Sequence, residues 1–288
     1  MTRVLITGAT GFLGEHVLKM RPQAGFQTAA FVRTTSDPGR IPDDVVKVFG
    51  DLSDARALQE ALQGVDVLIN LASLGFGHAP AIVQACQEAR VPRAVFISTT
   101  AIFTRLPAPS RAARLEAERL IAASGLACTI LRPTMIYGTP RDRNIWRLIR
   151  FLRFSPLAPL VGGGRRLQQP IHVEDVAKAV WQVVGCPASA GKAYDLAGAQ
   201  AVPMSDMVRT IARQLGRSVH LLPVPLPLAL AGAAVARRLP FFPRISREQI
   251  LRLDEDKAFD ISPARKDFGF APLDFEEGIR KELRWLGR

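Results

Sequence analysis

The chain has few cysteines for its length, only three in 288 residues. Cys86, Cys128 and Cys186 are far apart, odd in number and outside any Cys-x-x-Cys or Cys/His cluster. A disulfide framework or a structural metal site needs paired or closely spaced ligands. We therefore expect reduced thiols, no bound metal and a cytoplasmic location.

The sequence also lacks an apolar run that could cross a bilayer. Its longest apolar stretch, Leu221 to Ala236, is interrupted by prolines, and a membrane span needs about 20 apolar residues. A glycine-rich motif begins almost at Met1, so we expect no signal peptide. Motifs of helix-turn-helix, zinc-finger and RNA-binding proteins are missing, which predicts no nucleic-acid partner.

Acidic residues are outnumbered, and the formal net charge is +12. An arginine-rich composition is one explanation. The other is an anionic partner, such as a nucleotide phosphate or an anionic lipid.

What is present begins with the sequence RVLITGATGFLG. An apolar run from Arg3 to Ile6 predicts a buried strand, and Gly8, Gly11 and Gly14 lead directly into a helical pattern. Glycines allow a tight turn and a close backbone approach to a pyrophosphate, which the helix N-terminus then binds. The spacing predicts a dinucleotide site, with a simple tight turn as the alternative.

Apolar runs then alternate with helical patterns through the first two-thirds of the chain. This order predicts an α/β fold with a doubly wound parallel sheet and helices on both faces. The predicted strands lie at 4–7, 28–32, 45–51, 65–72, 93–98 and 128–133, and the helices near 12–21, 53–63, 79–90 and 110–124.

Six motifs occur in order along nearly the whole chain: TGATGFLG, GDL, NLAS, FISTT, LRPTMIYG and PIHVEDVA. In this order they resemble the extended short-chain dehydrogenase/reductase family, especially its epimerase/dehydratase-like members. The resemblance implies a Rossmann domain at 1–138 plus 170–199 and a small substrate-binding lobe at 139–169 plus 200–288. It also implies a small-molecule substrate and, by analogy, a homodimer.

The resemblance further implies which residues contact an NAD(P) cofactor. Asp51 would lie along the adenine, although a helix N-cap or a turn residue is an equal alternative. The full implied set is Thr7, Gly8, Thr10, Gly11, Phe12, Leu13, Gly14, Arg33, Asp51, Leu52, Leu71, Ala72, Ser73, Arg114 and Pro133.

The end of the second strand determines the choice of cofactor. An acidic residue there binds the ribose of NAD, whereas an arginine accommodates the additional phosphate of NADP. Arg33 occupies this position, and Asp37, followed by proline, is expected to start a turn. The sequence thus predicts NADP(H) over NAD(H), with a solvated strand end as the alternative role of Arg33.

The family's usual Tyr-x-x-x-Lys pair does not occur anywhere in the sequence. That pair places a lysine one helical turn from a tyrosine, whose pKa it lowers for proton transfer. Aligned through Glu118, Ser110 and Arg114 take the two positions, with a helix N-cap and a surface arginine as an equal alternative. Thr99 takes the position of the family's catalytic Ser or Thr. A serine hydroxyl titrates far above a phenol, so normal proton transfer is not expected.

Other side chains are candidates for roles in the site. Tyr137 would supply a phenol from the LRPTMIY strand, although a buried aromatic is the favoured interpretation. His78 would lie near the substrate, or simply start a helix. Arg165 and Arg166 would bind a substrate diphosphate, or lie in a solvated turn.

The stretch at 221–236 is apolar, and Arg237, Arg238 and Arg244 follow it. It predicts a helix packed in the small lobe. A hydrophobic substrate tunnel or a weak membrane-surface contact is the alternative. The function expected from the whole sequence is a reductase or epimerase acting on a nucleotide-sugar or lipid-like substrate. A non-catalytic NADP(H)-binding sensor or assembly subunit is the alternative, because the acid–base pair is missing.

Overall fold

The computed structural model of the protein describes residues 1–106, 109–236 and 247–287. The strands in these ranges are β1 (Thr2–Thr7), β2 (Phe26–Val32), β3 (Val46–Phe49), β4 (Val67–Asn70), β5 (Arg93–Ile97), β6 (Cys128–Pro133), β7 (Ile136–Tyr137), β8 (Leu157–Val161), β9 (Leu167–Gln168), β10 (Ile171–His172), β11 (Ala193–Leu196), β12 (Val202–Pro203) and β13 (His220–Val224).

Helices follow most of the strands of the first two-thirds. They are α1 (Phe12–Lys19), α2 (Ala55–Ala61), α3 (Ala79–Glu88), α4 (Pro109–Ala123), α5 (Ile145–Phe154), α6 (Val173–Val184), α7 (Met204–Gln214), α8 (Leu226–Ala236), α9 (Arg247–Leu253), α10 (Ser262–Phe268) and α11 (Phe275–Leu283). Within the described ranges, no helix combines the length and the apolar character that crossing a bilayer requires.

Seven strands form one sheet in the order β11-β6-β5-β4-β1-β2-β3, with every neighbouring pair parallel. This confirms the predicted Rossmann-type fold. Because successive strand residues face opposite sides, Ile6 packs in the cluster under α1 and α6, whereas Leu5 packs in the cluster under α2, α3 and α4. Burial on both faces explains why the strands are continuous apolar runs.

A smaller lobe is built on a third hydrophobic cluster. Helices α5, α7 and α11 contribute Ile149, Ile211 and Ile279, and β8 contributes Leu160. The segment around α10 differs from the predicted division, because Ile261 and Phe270 pack in the cluster beneath the large sheet. The chain between 200 and 288 therefore serves both lobes.

A buried carboxyl group in α11 gives the small lobe a pH-dependent stability. Glu282 is 0% exposed, and burial together with the neighbouring carboxyl of Asp142 raises its pKa to about 10. The unfolded chain releases this proton near pH 4.5, whereas the folded chain retains it until about pH 10. Its contribution to stability is therefore complete below pH 4.5 and is lost as the pH rises through that window.

We expect Glu282→Gln to remove this dependence, because an amide is neutral at every pH. Between pH 5 and pH 8 the wild type should lose up to about 4 kcal/mol of unfolding free energy relative to the variant. Urea denaturation of both proteins at the two pH values measures the difference. Parallel curves for the two proteins would contradict the raised pKa of Glu282.

Candidate functional site

The glycine turn after β1 is sterically determined. Gly8 has a left-handed backbone (φ 69°), and a Cβ there would lie 2.8 Å from the backbone nitrogen of Ala72. A Cβ on Gly14 would lie 2.4 Å from the carbonyl oxygen of Gly8. Gly8 therefore permits the turn beside the end of β4, and Gly14 permits close packing of α1 against the turn.

The N-terminus of α1 is available to bind an anion. Gly11 stands at the N-cap, and among the described residues no side chain caps the helix. Its first N–H groups and its dipole therefore point to the end of the parallel sheet. This arrangement fits a dinucleotide pyrophosphate, and a larger side chain at exposed Gly11 would occupy the same space.

Thr7 supports the turn from beneath. Its side chain is fully buried and donates a hydrogen bond to Asn70 Oδ1 at 2.6 Å. This bond joins the ends of β1 and β4. Its side chain is thus enclosed and already paired, and the predicted cofactor contact of Thr7 stays a prediction. Thr10 and Phe12, by contrast, are partly exposed on the turn, while Leu13 packs into the core.

Arg141 lies at this turn and was missed by the sequence reasoning. Arg141 forms an ion pair with Glu15 of α1 and approaches the carbonyl of Thr10 at 3.5 Å. Its guanidinium therefore lies beside the turn that would hold a pyrophosphate. Its only sequence signal is its position four residues after Tyr137, where the family motif has a lysine.

Arg33, His78 and Asp51 lie near one another at the edge of the sheet at β2 and β3. Arg33 and His78 both lower the pKa of Asp51, after the larger effect of hydrogen bonds from Ser53. Asp37 accepts a hydrogen bond from the backbone of Gly39 and starts a 3-10 turn, as the Asp-Pro pair predicted. The carboxylate of Asp51 accepts hydrogen bonds from Ser53 in the turn before α2. The N-cap of α2 is Asp54.

The segment after β4 lines the site from the other side. Leu71 and Ala72 are partly exposed, and Ser73 caps a short 3-10 helix at Leu74–Phe76. Leu52 is partly exposed after β3. Pro133 ends β6, is buried, and accepts a hydrogen bond from Thr100 through its carbonyl. These residues end neighbouring parallel strands, so their positions at one edge follow from the topology.

Thr99 lies two residues after β5, at the same edge. Its hydroxyl accepts a hydrogen bond from the backbone N–H of Ala101 at 3.2 Å, which leaves the hydroxyl proton free to be donated. The side chain is partly exposed. Thr99 is therefore positioned to donate to an oxygen of a bound molecule.

Helix α4 brings Ser110 and Arg114 to this segment. Arg114 Nη1 donates to Ser110 Oγ at 3.0 Å, and a Cβ on Gly75 would lie 3.4 Å from the guanidinium. Arg111 donates to the carbonyl of Ile102, which joins α4 to the turn after Thr99. Burial and the nearby charge of Arg252 lower the pKa of Arg114. The pair thus lies one helical turn apart, as the alignment predicted.

Tyr137 lies in a different environment. Its side chain is buried in the third hydrophobic cluster, with its ring edge-on to His172 at 5.4 Å. Burial raises its pKa, which opposes proton release near neutral pH. Burial also lowers the pKa of His172 to about 4. These surroundings favour the packing interpretation of Tyr137 over the catalytic one.

An aromatic pair lies shortly after Thr99 in the chain. Phe103 is 49% exposed, its ring centroid lies 5.9 Å from that of Phe259, and the guanidinium of Arg132 lies over its ring at 5.4 Å. Glu255 fixes the following residues by accepting hydrogen bonds from the hydroxyl of Thr104 and the backbone of Arg105. The loop segment that carries Glu255 therefore closes over this pair, a contact between positions 150 residues apart.

The predicted diphosphate-binding arginines have different surroundings. Arg166 is paired with Asp254 at 3.0 Å and with Asp256 at 3.3 Å. Arg165 is exposed, and in the described ranges no carboxylate lies within ion-pair distance. Arg237, Arg238 and Arg244 lie outside the described residues.

Comparisons with known proteins agree with this geometry. Residues 8–187 match a family model described as NAD(P)H-binding. The chain is 26% identical to a 2-alkyl-3-oxoalkanoate reductase of Stenotrophomonas maltophilia, over 97% of this chain and 98% of the relative. It is 30% identical to a ceramide reductase of Caulobacter vibrioides, over 81% and 77%.

A crystal structure of a nucleoside-diphosphate-sugar epimerase from Pseudomonas aeruginosa superimposes with a TM-score of 0.80 at 20% identity, covering 99% of this chain and 97% of the other. At this identity the likeness shows the shared fold alone.

Proposed function

The chain belongs to the NAD(P)H-binding family, and within it to the extended short-chain dehydrogenase/reductases, and on that premise we propose that it is an NADPH-dependent reductase of a carbonyl group on a lipid-like substrate. The observation that carries this proposal is the convergence of three groups at one sheet edge: the glycine turn, the free hydroxyl of Thr99, and the guanidinium of Arg114.

A lipid-like substrate is supported by the aromatic pair near Thr99. Phe103 and Phe259 present apolar surface there, and burial of such surface favours binding of an acyl or alkyl chain. Arg166, one of the two arginines proposed to bind a nucleotide diphosphate, is paired with two aspartates of the chain itself. The names of the two reductase relatives point to substrates of the same class.

NADPH supplies the hydride when it is bound. The side chains of this protein orient and polarise the carbonyl that receives it. Thr99 would donate a hydrogen bond to the carbonyl oxygen, while its own oxygen accepts one from Ala101 N–H. Arg114 would stabilise the negative charge that develops on that oxygen. Because neither Ser110 nor Arg114 releases a proton readily near neutral pH, a water molecule would protonate the resulting alkoxide and leave hydroxide.

Purified protein should oxidise NADPH when given 3-oxo fatty acids or long-chain 3-oxo lipids, as followed by nicotinamide absorbance. Nucleotide sugars in the same assay serve as the competing substrate class. Turnover with nucleotide sugars alone would contradict the lipid-like assignment.

The second candidate is an NADP(H)-binding subunit without turnover. It is favoured by one observation, the replacement of the usual pair by Ser110 and Arg114. Tight NADPH binding by calorimetry, with no oxidation across the whole panel, would support this candidate over the first.

The preference for NADPH rests on Arg33. A charge-assisted contact to the additional phosphate is worth roughly 2 kcal/mol. We therefore expect Arg33→Ala to weaken NADPH binding about 10- to 100-fold and NADH binding by less than about twofold. Arg56→Ala, at an exposed arginine on α2, is the matched control. Equal losses for the two cofactors would refute the role of Arg33.

A further inference from the structure

The positive charge of the chain is concentrated in two segments. Residues 143–173 and 207–247 contain thirteen arginines and no aspartate or glutamate. The other 216 residues carry 25 basic and 26 acidic side chains. An arginine-rich composition spread evenly along the chain therefore does not explain the net charge of +12. The excess belongs to these two segments of the sequence.

The fold brings the two segments together. Strand β8 of the first pairs in parallel with β13 of the second, with Leu157 opposite His220. Helix α5, which precedes β8, packs against α7, which precedes β13. The described parts of these two stretches, which are distant in sequence, thus pack together in the small lobe.

These stretches also expose large apolar side chains among their arginines. We call this set the basic-apolar surface, and it is defined by Arg147, Arg150, Phe151, Arg153, Phe154, Leu157, Leu222 and Leu228. Phe154 is 74% exposed and Leu228 is 64% exposed. Exposed apolar residues that occur together, rather than singly, indicate an interaction site.

The arginines of α5 form no ion pair with the described part of the chain, although the guanidinium of Arg153 lies over the ring of Phe154. In the described part of the chain, no carboxylate lies within ion-pair distance of Arg147, Arg150 or Arg153. By contrast, Arg209 and Arg213 of α7 are paired with Asp206 and Glu276. Three unpaired guanidinium groups on one short helix provide an electrostatic attraction for an anionic partner.

Helix α8 adds a second, independent feature. Its sequence, LPLALAGAAVA, contains no polar side chain, a composition typical of a helix buried on all sides. Yet Leu228, Ala231, Gly232 and Ala234 are exposed. With 11 residues it is about 16 Å long, which is too short to cross a bilayer.

We propose that the basic-apolar surface docks the protein on an anionic membrane, with the arginines of α5 at the lipid headgroups and α8 in the interfacial layer. Apolar side chains flanked by arginines are typical of helices that bind at this depth. A second copy of the chain fits poorly, because it would oppose two arginine-rich faces. A nucleic acid would use the arginines but would leave α8 uncovered.

The docked face lies next to the substrate side of the cleft. Helix α8 packs against α9, and Arg252 of α9 is close enough to Arg114 to lower its pKa. A molecule leaving the bilayer at α8 would therefore pass only α9 before it reached the candidate site. This last link rests on the proposed function, whereas the docking itself does not.

Vesicle flotation tests the docking without cofactor or substrate, so its result is independent of turnover. We expect the protein to float with phosphatidylcholine vesicles containing about 30% phosphatidylglycerol and not with pure phosphatidylcholine. Arg147→Gln/Arg150→Gln/Arg153→Gln should weaken binding about 100-fold. The matched control Arg56→Gln/Arg119→Gln/Arg265→Gln, which removes the same charge from exposed positions elsewhere, should stay within about threefold.

The apolar contribution is tested by Phe151→Ser/Phe154→Ser, which should weaken vesicle binding about tenfold or more. Phe49→Ser, at a residue 53% exposed on the opposite lobe, is its control. Circular dichroism verifies that each variant is folded.

Three results would overturn the proposal. Equal losses of vesicle binding in the two triple-arginine variants would show that binding depends on net charge alone and not on α5. Binding to a short RNA duplex that is stronger than vesicle binding, and unchanged by the phenylalanine variant, would assign the surface to nucleic acid. A dimer in sedimentation velocity that Leu228→Glu dissociates, without any vesicle binding, would assign it to a second copy.

Discussion

Gly11→Val should reduce the affinity for NADPH by at least about 100-fold while leaving the protein folded. Gly11 has an extended backbone (φ −73°, ψ 169°) that any residue adopts. The nearest protein atom to a Cβ there is the carbonyl oxygen of Gly8 at 3.0 Å. The valine methyl groups would therefore extend into the space in front of the N–H groups of α1. Calorimetric titration with NADPH measures the loss.

A matched control for this variant is Gly185→Val. Gly185 also has negative φ, and a Cβ there would lie 3.7 Å from the nearest atom, outside the candidate site. Its NADPH affinity should equal that of the wild type. If Gly11→Val bound NADPH normally, the glycine turn would not be the pyrophosphate site and the assignment of the cleft would fail.

Thr99→Val should lower kcat about 100-fold without changing the affinity for NADPH. The substitution keeps the shape of the side chain but removes the donor that polarises the carbonyl, and loss of one such donor typically costs two to three orders of magnitude. The variant also loses the acceptor for Ala101 N–H, so a thermal melt must accompany the kinetics.

Thr99→Ser provides the control, because it retains the hydroxyl. We expect its kcat to stay within about threefold of the wild type. A fall in kcat as large for serine as for valine would indicate a structural role of Thr99. Wild-type kcat in Thr99→Val would exclude Thr99 from the reaction and require another donor at the sheet edge.

The fold was predictable because its signals are local. The inner strands of the sheet are mostly apolar runs of four to seven residues between helical patterns, and burial on both faces demands such runs. The glycine turn was predictable for the same reason: the close contacts of Gly8 and Gly14 permit no side chain. Asp37 was expected to start a turn because proline follows it, and it does.

The candidate site was only partly predictable. Positions at strand ends, such as Thr99, follow from topology once the strands are known. The ion pair of Arg141 with Glu15 joins residues 126 positions apart, and no local pattern predicts it. Tyr137 was expected to be buried, but its partners Phe275 and Gly278, near the end of the chain, follow from no local pattern.

The sequence by itself determined the parallel sheet, the dinucleotide turn and the loss of the Tyr-x-x-x-Lys pair, since these depend on spacing and on residue identity. Only the tertiary structure decided which charges remain unpaired. Arg166 is held by Asp254 and Asp256, whereas the arginines of α5 have no carboxylate near them among the described residues. Electrostatic pairing depends on distances of a few ångströms between residues far apart in the chain, and only the packed fold sets those distances.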